Sequence, residues 1–439
     1  MTHTIAIRNE TKSPWERRTP LTPGLVQHLV HDRDIDVVVQ SSSRRVFHDK
    51  EFLHAGASVR ANISGVPVVF GVKEIPEELL ETETTYMYFS HVIKGQPYNM
   101  AMLQRVMDLR CTLIDYELVR DEHDRRLVFF GRFAGLAGMI DTLWAMGRRY
   151  STQGIETPFI SLQPAHAYDD LEHAKEAIRK VAADIRSTGL PKRILPLTIG
   201  VAGYGNVAQG AQEVLSALPI QVVSPDRLHE LLTDNAPDPH TVICTTFREE
   251  DLVEPVDADG SFDLQDYYNR PERYRSRFEP QLAHLSVLVN ANYWDERYPR
   301  LVTLNALRTL FGGSTQPKLT VIGDLGCDIG GNVECTVRCT DPGDPVFVWN
   351  PDTGKATSGF EGRGIAVQAV DILPAELPKE ASEEFAAALE PFVANIAKAN
   401  YSVPFDELDL PPEIKGAVIV HRGQLTPDFT YLEEHLPQS

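Results

Sequence analysis

Basic residues are in short supply in this chain. Its 439 residues carry 42 Lys and Arg against 62 Asp and Glu, a formal net charge of −20. A nucleic-acid binder concentrates cationic side chains against phosphate, so this balance argues against that class. Long apolar runs are missing too: no stretch of about 18 or more apolar residues occurs, which leaves no helical membrane span. Cysteine is sparse and odd in number, five in all, a poor basis for a disulfide framework. Cys335 and Cys339 lie four apart, but no second Cys or His pair accompanies them, so no metal site is expected. Strand-like sequence already begins at Thr4, which is read as leaving no room for a leader segment, and the expected location is cytoplasmic. What is present is ordinary for a globular protein: 42% hydrophobic and 24% charged residues. The length points to two or three domains.

The first third alternates β-branched runs with helical stretches. Thr4–Ile7, Ile35–Gln40, Val66–Val72, Thr85–Phe89 and Cys111–Asp115 read as buried strands, and a helix opens at Thr22-Pro23 with an N-cap followed by proline. Such alternation predicts a doubly wound parallel sheet. Phe133–Tyr150, carrying Gly135 and Gly138, reads as a connecting helix able to pack closely. A second α/β set comes after it, with strands at Leu197–Ala202, Ile220–Ser224, Thr241–Phe247, Ser286–Ala291 and Leu319–Ile322. The expected fold is therefore α/β, with two doubly wound parallel-sheet domains. Residues 1–133 plus 351–439 are expected to form a substrate domain, and residues 134–350 a dinucleotide domain.

Three patterns end predicted strands of the first domain: Trp15–Pro23 with Arg18, Phe70–Pro76 with Lys73, and Phe89–Gln96 with His91. Ligands of open α/β sheets lie beyond the carboxyl ends of the strands. Arg18 is read as a carboxylate fork, with Arg17 and Lys94 adding local positive charge for an anionic substrate. Lys73, ending an apolar strand, and His91, titrating near neutrality, are read as the proton-transfer groups. Taken singly, each has an equally good structural explanation, Arg18 as a surface ion pair with Glu16 and Lys73 as a partner of Glu74 or Glu77. Their joint position at one sheet edge favours a site. In Leu197–Ala211, Gly203, Tyr204, Gly205, Asn206 and Val207 form a glycine turn between strand and helix, suited to a pyrophosphate. Ser224 and Arg227, at the end of the next strand, favour the 2′-phosphate of NADPH, although Asp226 pulls towards NADH. Asp328 is placed facing the nicotinamide ribose or the reacting carbon, or simply capping a turn.

At these residues the chain resembles the lysine–2-oxoglutarate reductase family, the saccharopine-forming half of the bifunctional aminoadipic semialdehyde synthases, within the wider alanine dehydrogenase, transhydrogenase and lysine-forming saccharopine dehydrogenase group. The likeness runs through Trp15–Pro23, Ser43–Lys50, Gly71–Lys73, Phe89–Lys94, Leu113–Glu117 and Gly131–Met139. It continues through Gly203–Gln212, Asn292–Trp294, Pro299-Arg300 and Ile372–Pro378. The resemblance implies an oxidoreductase that joins L-lysine to 2-oxoglutarate and reduces the imine with NADPH, or with NADH, to saccharopine. It also implies two Rossmann-like domains with an interdomain cleft, proton-handling roles for Lys73 and His91, carboxylate binding by Arg18, and Asp328 beside the nicotinamide. Bifunctional members carry a second, saccharopine-oxidising half that this chain is too short to contain. The rival readings are a lysine-forming saccharopine dehydrogenase or alanine-dehydrogenase-type enzyme, and a nicotinamide-binding sensor without turnover. A homo-oligomer is compatible with all of them.

Overall fold

The β-branched runs fold into two open sheets, each with eight strands among the described residues. The structure is a computed structural model and describes residues 3–232, 237–313 and 316–437. The chain divides into two compact units. One comprises the residues up to Phe130 together with those from Pro378 onward, and the other is Gly131–Leu377.

In the first unit the strand order is Gln424–Leu425, Val418–His421, Thr112–Asp115, Thr85–Tyr88, Val68–Phe70, His3–Ile7, Ile35–Gln40, Ser58–Arg60. The last six run parallel, and the two C-terminal strands add an antiparallel edge. The runs Ile5–Ile7, Val37–Val39 and Val68–Phe70 are buried along their whole length, as expected of strands with both faces covered. Helix Pro23–Arg33 starts as its sequence predicts: the Thr22 hydroxyl accepts from the Leu25 N–H and proline fills the first turn. Ser58–Arg60 is an additional short edge strand.

The second unit's sheet runs Ala356–Ser358, Val346–Trp349, Ile365–Gln368, Val321–Asp324, Val287–Asn290, Thr198–Ala202, Val242–Phe247, Ile220–Val223. The expected return at residue 351 moves here to Pro378. The segments Ala356–Ser358 and Ile365–Gln368 pair with strands of the second sheet, and only the helix Pro378–Lys398 and the residues C-terminal to it belong to the first unit. Helix Gly131–Thr152 crosses helix Asn206–Leu215 closely because two glycines face backbone. A Cβ on Gly135 would stand 1.9 Å from the Val207 carbonyl oxygen, and one on Gly210 would stand 2.1 Å from that of Arg132.

Among the described residues no helix is long and apolar enough to cross a membrane, and no group of three or more His, Cys, Asp or Glu is placed to hold a metal. All five cysteines are unpaired; Cys335 is buried and Cys339 half-buried.

Candidate active site

The strands Thr112–Asp115, Thr85–Tyr88, Val68–Phe70 and His3–Ile7 are neighbours and parallel, so the loops leaving their carboxyl ends emerge along one edge. Buried carboxylates tie these loops together. Glu10 accepts the N–H groups of Val72 (2.8 Å) and Lys73 (3.1 Å) while also binding Arg8. Asp115 accepts the Ser90 N–H at 2.9 Å and is bonded by its hydroxyl as well. The Asn99 amide donates to the Ser90 and His91 carbonyls, fixing a turn in which His91 takes a left-handed backbone (φ 51°).

Arg18 is buried, and it does pair with Glu16, though in the interior rather than at the surface. Its Nε donates to Oε1 at 2.8 Å and its Nη2 to Oε2 at 2.5 Å. The guanidinium lies 4.1 Å from the centre of the Phe130 ring, and Phe130 stacks on Phe385 at 4.5 Å. Phe385 and Ser382, whose hydroxyl accepts the Thr19 N–H, both come from the helix Pro378–Lys398. The far end of the chain therefore buttresses the Arg18 loop. Burial alone would raise the Glu16 carboxyl, but the guanidinium outweighs it and holds Glu16 below the usual range.

Lys73 is mostly shielded, and burial pushes its ammonium below the ordinary lysine range; the Arg18 charge adds to that, against Glu16 and Glu74. The cations working against Lys73 are thus Arg18 and, to a smaller extent, Lys12. Next in the chain, Glu74 joins the loops. One oxygen receives His91 Nδ1 at 2.7 Å, and Lys12 Nζ lies 2.7 Å from both oxygens. Although burial opposes it, these bonds bring the Glu74 carboxyl down to about 2. Arg18, Lys73 and His91 consequently share one electrostatic network, linked through Glu16 and Glu74.

Two expected members stay outside it. Arg17 is exposed and donates to the Arg44 carbonyl at 3.3 Å, because alternate residues of an extended segment face opposite ways. Lys94 is exposed in the turn after His91, and Lys12 takes the place beside Glu74. Glu16, Glu74, Glu10 and Lys12 are the members that the sequence did not single out as site residues. Glu16 and Glu74 figure in the sequence only as ion-pair partners of Arg18 and Lys73, and nothing local points to Glu10 or Lys12.

In the second unit the glycine turn fits a dinucleotide. Gly203 has φ 106°, and a Cβ there would meet Asn292 Oδ1 at 2.7 Å and the Ala291 carbonyl oxygen at 2.9 Å. Gly205 opens helix Asn206–Leu215, and a Cβ on it would have no heavy atom within 4 Å, so the space before the helix end is open. Tyr204, Gly205 and Asn206 are exposed and Val207 is half-buried. This cradle suits a pyrophosphate held by backbone N–H groups.

Ser224 and Arg227 do not border the glycine-turn strand. They come after the edge strand Ile220–Val223, which is separated from Thr198–Ala202 by Val242–Phe247. The expectation rested on sequence order, the end of the next strand, whereas the strand paired with the glycine-turn strand is Val242–Phe247. Arg227 is exposed and lies 3.9 Å from Glu230. Asp328 is exposed in the loop after Val321–Asp324, its carbonyl accepting the Gly331 N–H in a turn. Asp324, at the end of that strand, is the buried carboxylate there. It is pushed up to about 6 by burial, against bonds from Thr336 and Asn290.

Comparison with known proteins agrees with this architecture. The family model for the alanine dehydrogenase/PNT N-terminal domain matches residues 6–137, and that for the C-terminal domain matches residues 193–428. The alpha-aminoadipic semialdehyde synthase of Arabidopsis thaliana is 37% identical over 445 residues, covering 98% of this chain and 41% of that protein. The chain thus spans less than half the length of that relative. The saccharopine dehydrogenase [NAD(+), L-lysine-forming] of Emericella nidulans is 27% identical over 405 residues, covering 88% of this chain and 90% of that one. A solved L-alanine dehydrogenase shares the fold with a TM-score of 0.62 at 16% identity, covering 99% of this chain and 100% of that one. The chain belongs to the alanine dehydrogenase/PNT family of nicotinamide-dinucleotide-dependent oxidoreductases.

Proposed function

We propose that this chain condenses L-lysine with 2-oxoglutarate and reduces the resulting imine with NADPH to saccharopine. The observation that carries the reading is the Glu16–Arg18, Lys73, Glu74–His91 network in the loops of one sheet edge. The 37% identity to a synthase over 98% of the chain supports it.

Arg18 uses two of its three nitrogens on Glu16, and the remaining Nη1 is the group offered to a substrate carboxylate. Because its charge is disfavoured, Lys73 Nζ accepts a proton from the substrate ammonium and frees the amine to attack the oxo carbon. The carbinolamine then loses its hydroxyl as water. His91 gives that oxygen its proton from Nε2, since Nδ1 is committed to the Glu74 carboxylate, which fixes the ring. The glycine turn at Gly203 and Gly205 would hold the dinucleotide by its pyrophosphate, and the reduced dinucleotide would supply the hydride that turns the imine into the secondary amine. Holding both substrates in one orientation contributes much of the acceleration.

A second reading is the reverse, lysine-forming direction with NAD, favoured by the relative that this chain matches over 90% of its length. The test is a spectrophotometric panel. Oxidation of NADPH and NADH is followed with 2-oxoglutarate, pyruvate or glyoxylate, each with and without lysine, ornithine or ammonia. Strict dependence on lysine plus 2-oxoglutarate is expected. Turnover with pyruvate and ammonia alone would replace the proposal by an alanine-dehydrogenase type, and silence throughout would indicate a sensor.

A further inference from the structure

In a doubly wound dinucleotide domain, the residue ending the strand beside the glycine-turn strand meets the adenosine ribose. Sequence order usually identifies that neighbour as the next strand. Here the order is inverted: the next strand, Ile220–Val223, lies at the edge, and Val242–Phe247 is inserted between it and Thr198–Ala202. The register is continuous from Thr198 opposite Ile243 to Ala202 opposite Phe247. The Gly203 N–H then donates to the Phe247 carbonyl at 2.9 Å, so the glycine turn and the end of this strand are directly joined.

The first residue beyond Phe247 is Arg248. Its side chain is exposed, and its guanidinium carbon lies 5.0 Å from the centre of the Tyr204 ring, within the glycine turn itself. The carboxylate of the following residue, Glu249, is taken up by two tyrosine hydroxyls. Its Oε1 accepts the hydroxyl of Tyr268 at 2.7 Å and that of Tyr204 at 3.4 Å. The position that carries a carboxylate in NAD-specific sites thus carries a cation, held against an aromatic ring.

We propose that Arg248, supported by Tyr204, selects the cofactor by binding the 2′-phosphate of NADPH, and that Ser224 and Arg227 take no part. The proposal rests on the NADPH reading above and names the residue responsible. A guanidinium presents parallel N–H donors to phosphate oxygens, and a charge-assisted contact of this kind is worth about 10- to 100-fold in affinity.

The test is calorimetric titration of the whole chain with adenosine 2′,5′-bisphosphate and with 5′-AMP, which needs no turnover. The unsubstituted protein should bind the bisphosphate about tenfold or more tightly than AMP. Arg248→Gln should bring the two affinities together by weakening the bisphosphate alone, with Arg248→Lys intermediate. Arg248 is exposed, so thermal unfolding of these variants should match that of the parent. Equal binding of both ligands by the unsubstituted protein would overturn the NADPH reading and this proposal with it. A preference that survives Arg248→Gln, or collapses in Arg227→Gln instead, would overturn the assignment to Arg248 and leave the NADPH reading standing.

Discussion

Burial and the neighbouring Arg18 guanidinium both work against a charge on Lys73, while Glu74 fixes the ring of His91 through Nδ1. A lysine whose charge is disfavoured and an imidazole with a fixed ring are suited to proton exchange with a bound substrate. Lys73→Ala and His91→Ala should each lower turnover by about 10² or more if they act as acid–base groups. Near-parent turnover in both would reject that assignment. Arg18 needs a subtler test because it has a structural partner. Arg18→Ala strands the Glu16 carboxylate in the interior, a change that costs about 3–5 kcal/mol in buried pairs. Exchanging both members for apolar residues, as in Glu16→Met with Arg18→Met, removes the stranded charge and should recover most of that stability. If Arg18 is the carboxylate fork, the double variant should fold normally yet still show a greatly raised KM for 2-oxoglutarate. A recovered KM would assign Arg18 a structural role only.

At the scale of elements, the glycines of the second unit divide by what surrounds them. Gly135 and Gly210 let two helices touch through their backbones, and a Cβ on either would overlap a carbonyl oxygen. Gly135→Ala or Gly210→Ala should therefore destabilise by about 1–3 kcal/mol or more, as overpacking does. In a unit of this size that is read as a fall of several degrees in the unfolding midpoint, about 2–4 °C per kcal/mol. Gly205→Ala is the contrasting case. Its φ of −72° suits alanine and nothing lies within 4 Å of the added methyl. Stability should stay within about 0.5 kcal/mol of the parent, while dinucleotide affinity falls because the methyl occupies the approach to the pyrophosphate. Unchanged affinity would remove the glycine turn from the binding site.

At the scale of the whole chain, the second unit is entered at Gly131 and left at Leu377. Near these crossings Asp141, on the first helix, and Glu376, at the exit, form a buried carboxyl pair bonded to each other. Asp141 also accepts the Ala165 N–H at 2.7 Å, and Glu376 accepts that of His166 at 3.2 Å. Two carboxylates in such a place share a proton. Burial pushes Glu376 up to about 7, and burial plus the Glu376 charge push Asp141 well up as well. The folded state therefore holds protons that the unfolded chain has already lost above about 4.5. Stability from the pair is complete below that pH and is lost as pH rises towards about 7, with a slope approaching about 1.4 kcal/mol per pH unit for one proton. Glu376→Gln should flatten this slope and leave the protein more stable than the parent at pH 8, measured by denaturant unfolding at several pH values. A slope that persists in the variant would place its source elsewhere.

Local pattern was enough to read the α/β class, the first unit's central strands, the Thr22-capped helix and the glycine turn, because each depends on residues near one another in the chain. It was also enough to place Arg18, Lys73 and His91 at strand ends, where parallel strands of one sheet necessarily open on the same edge. Partnership across distance was decided only by the folded molecule. Glu16 and Glu74 become the links of the network because burial and long-range packing, including the helix Pro378–Lys398 beneath Arg18, bring them there. The return of the chain at Pro378, and the insertion of Val242–Phe247 beside the glycine-turn strand, are matters of strand pairing. Composition does not separate the two, since the inner strand carries Thr245 and Thr246 and the edge strand Gln221; only in the fold is Val242–Phe247 mostly buried while Gln221 and Val222 are exposed. Pairing order itself is a property of which sheet positions bury the most surface, and no short window of residues encodes it.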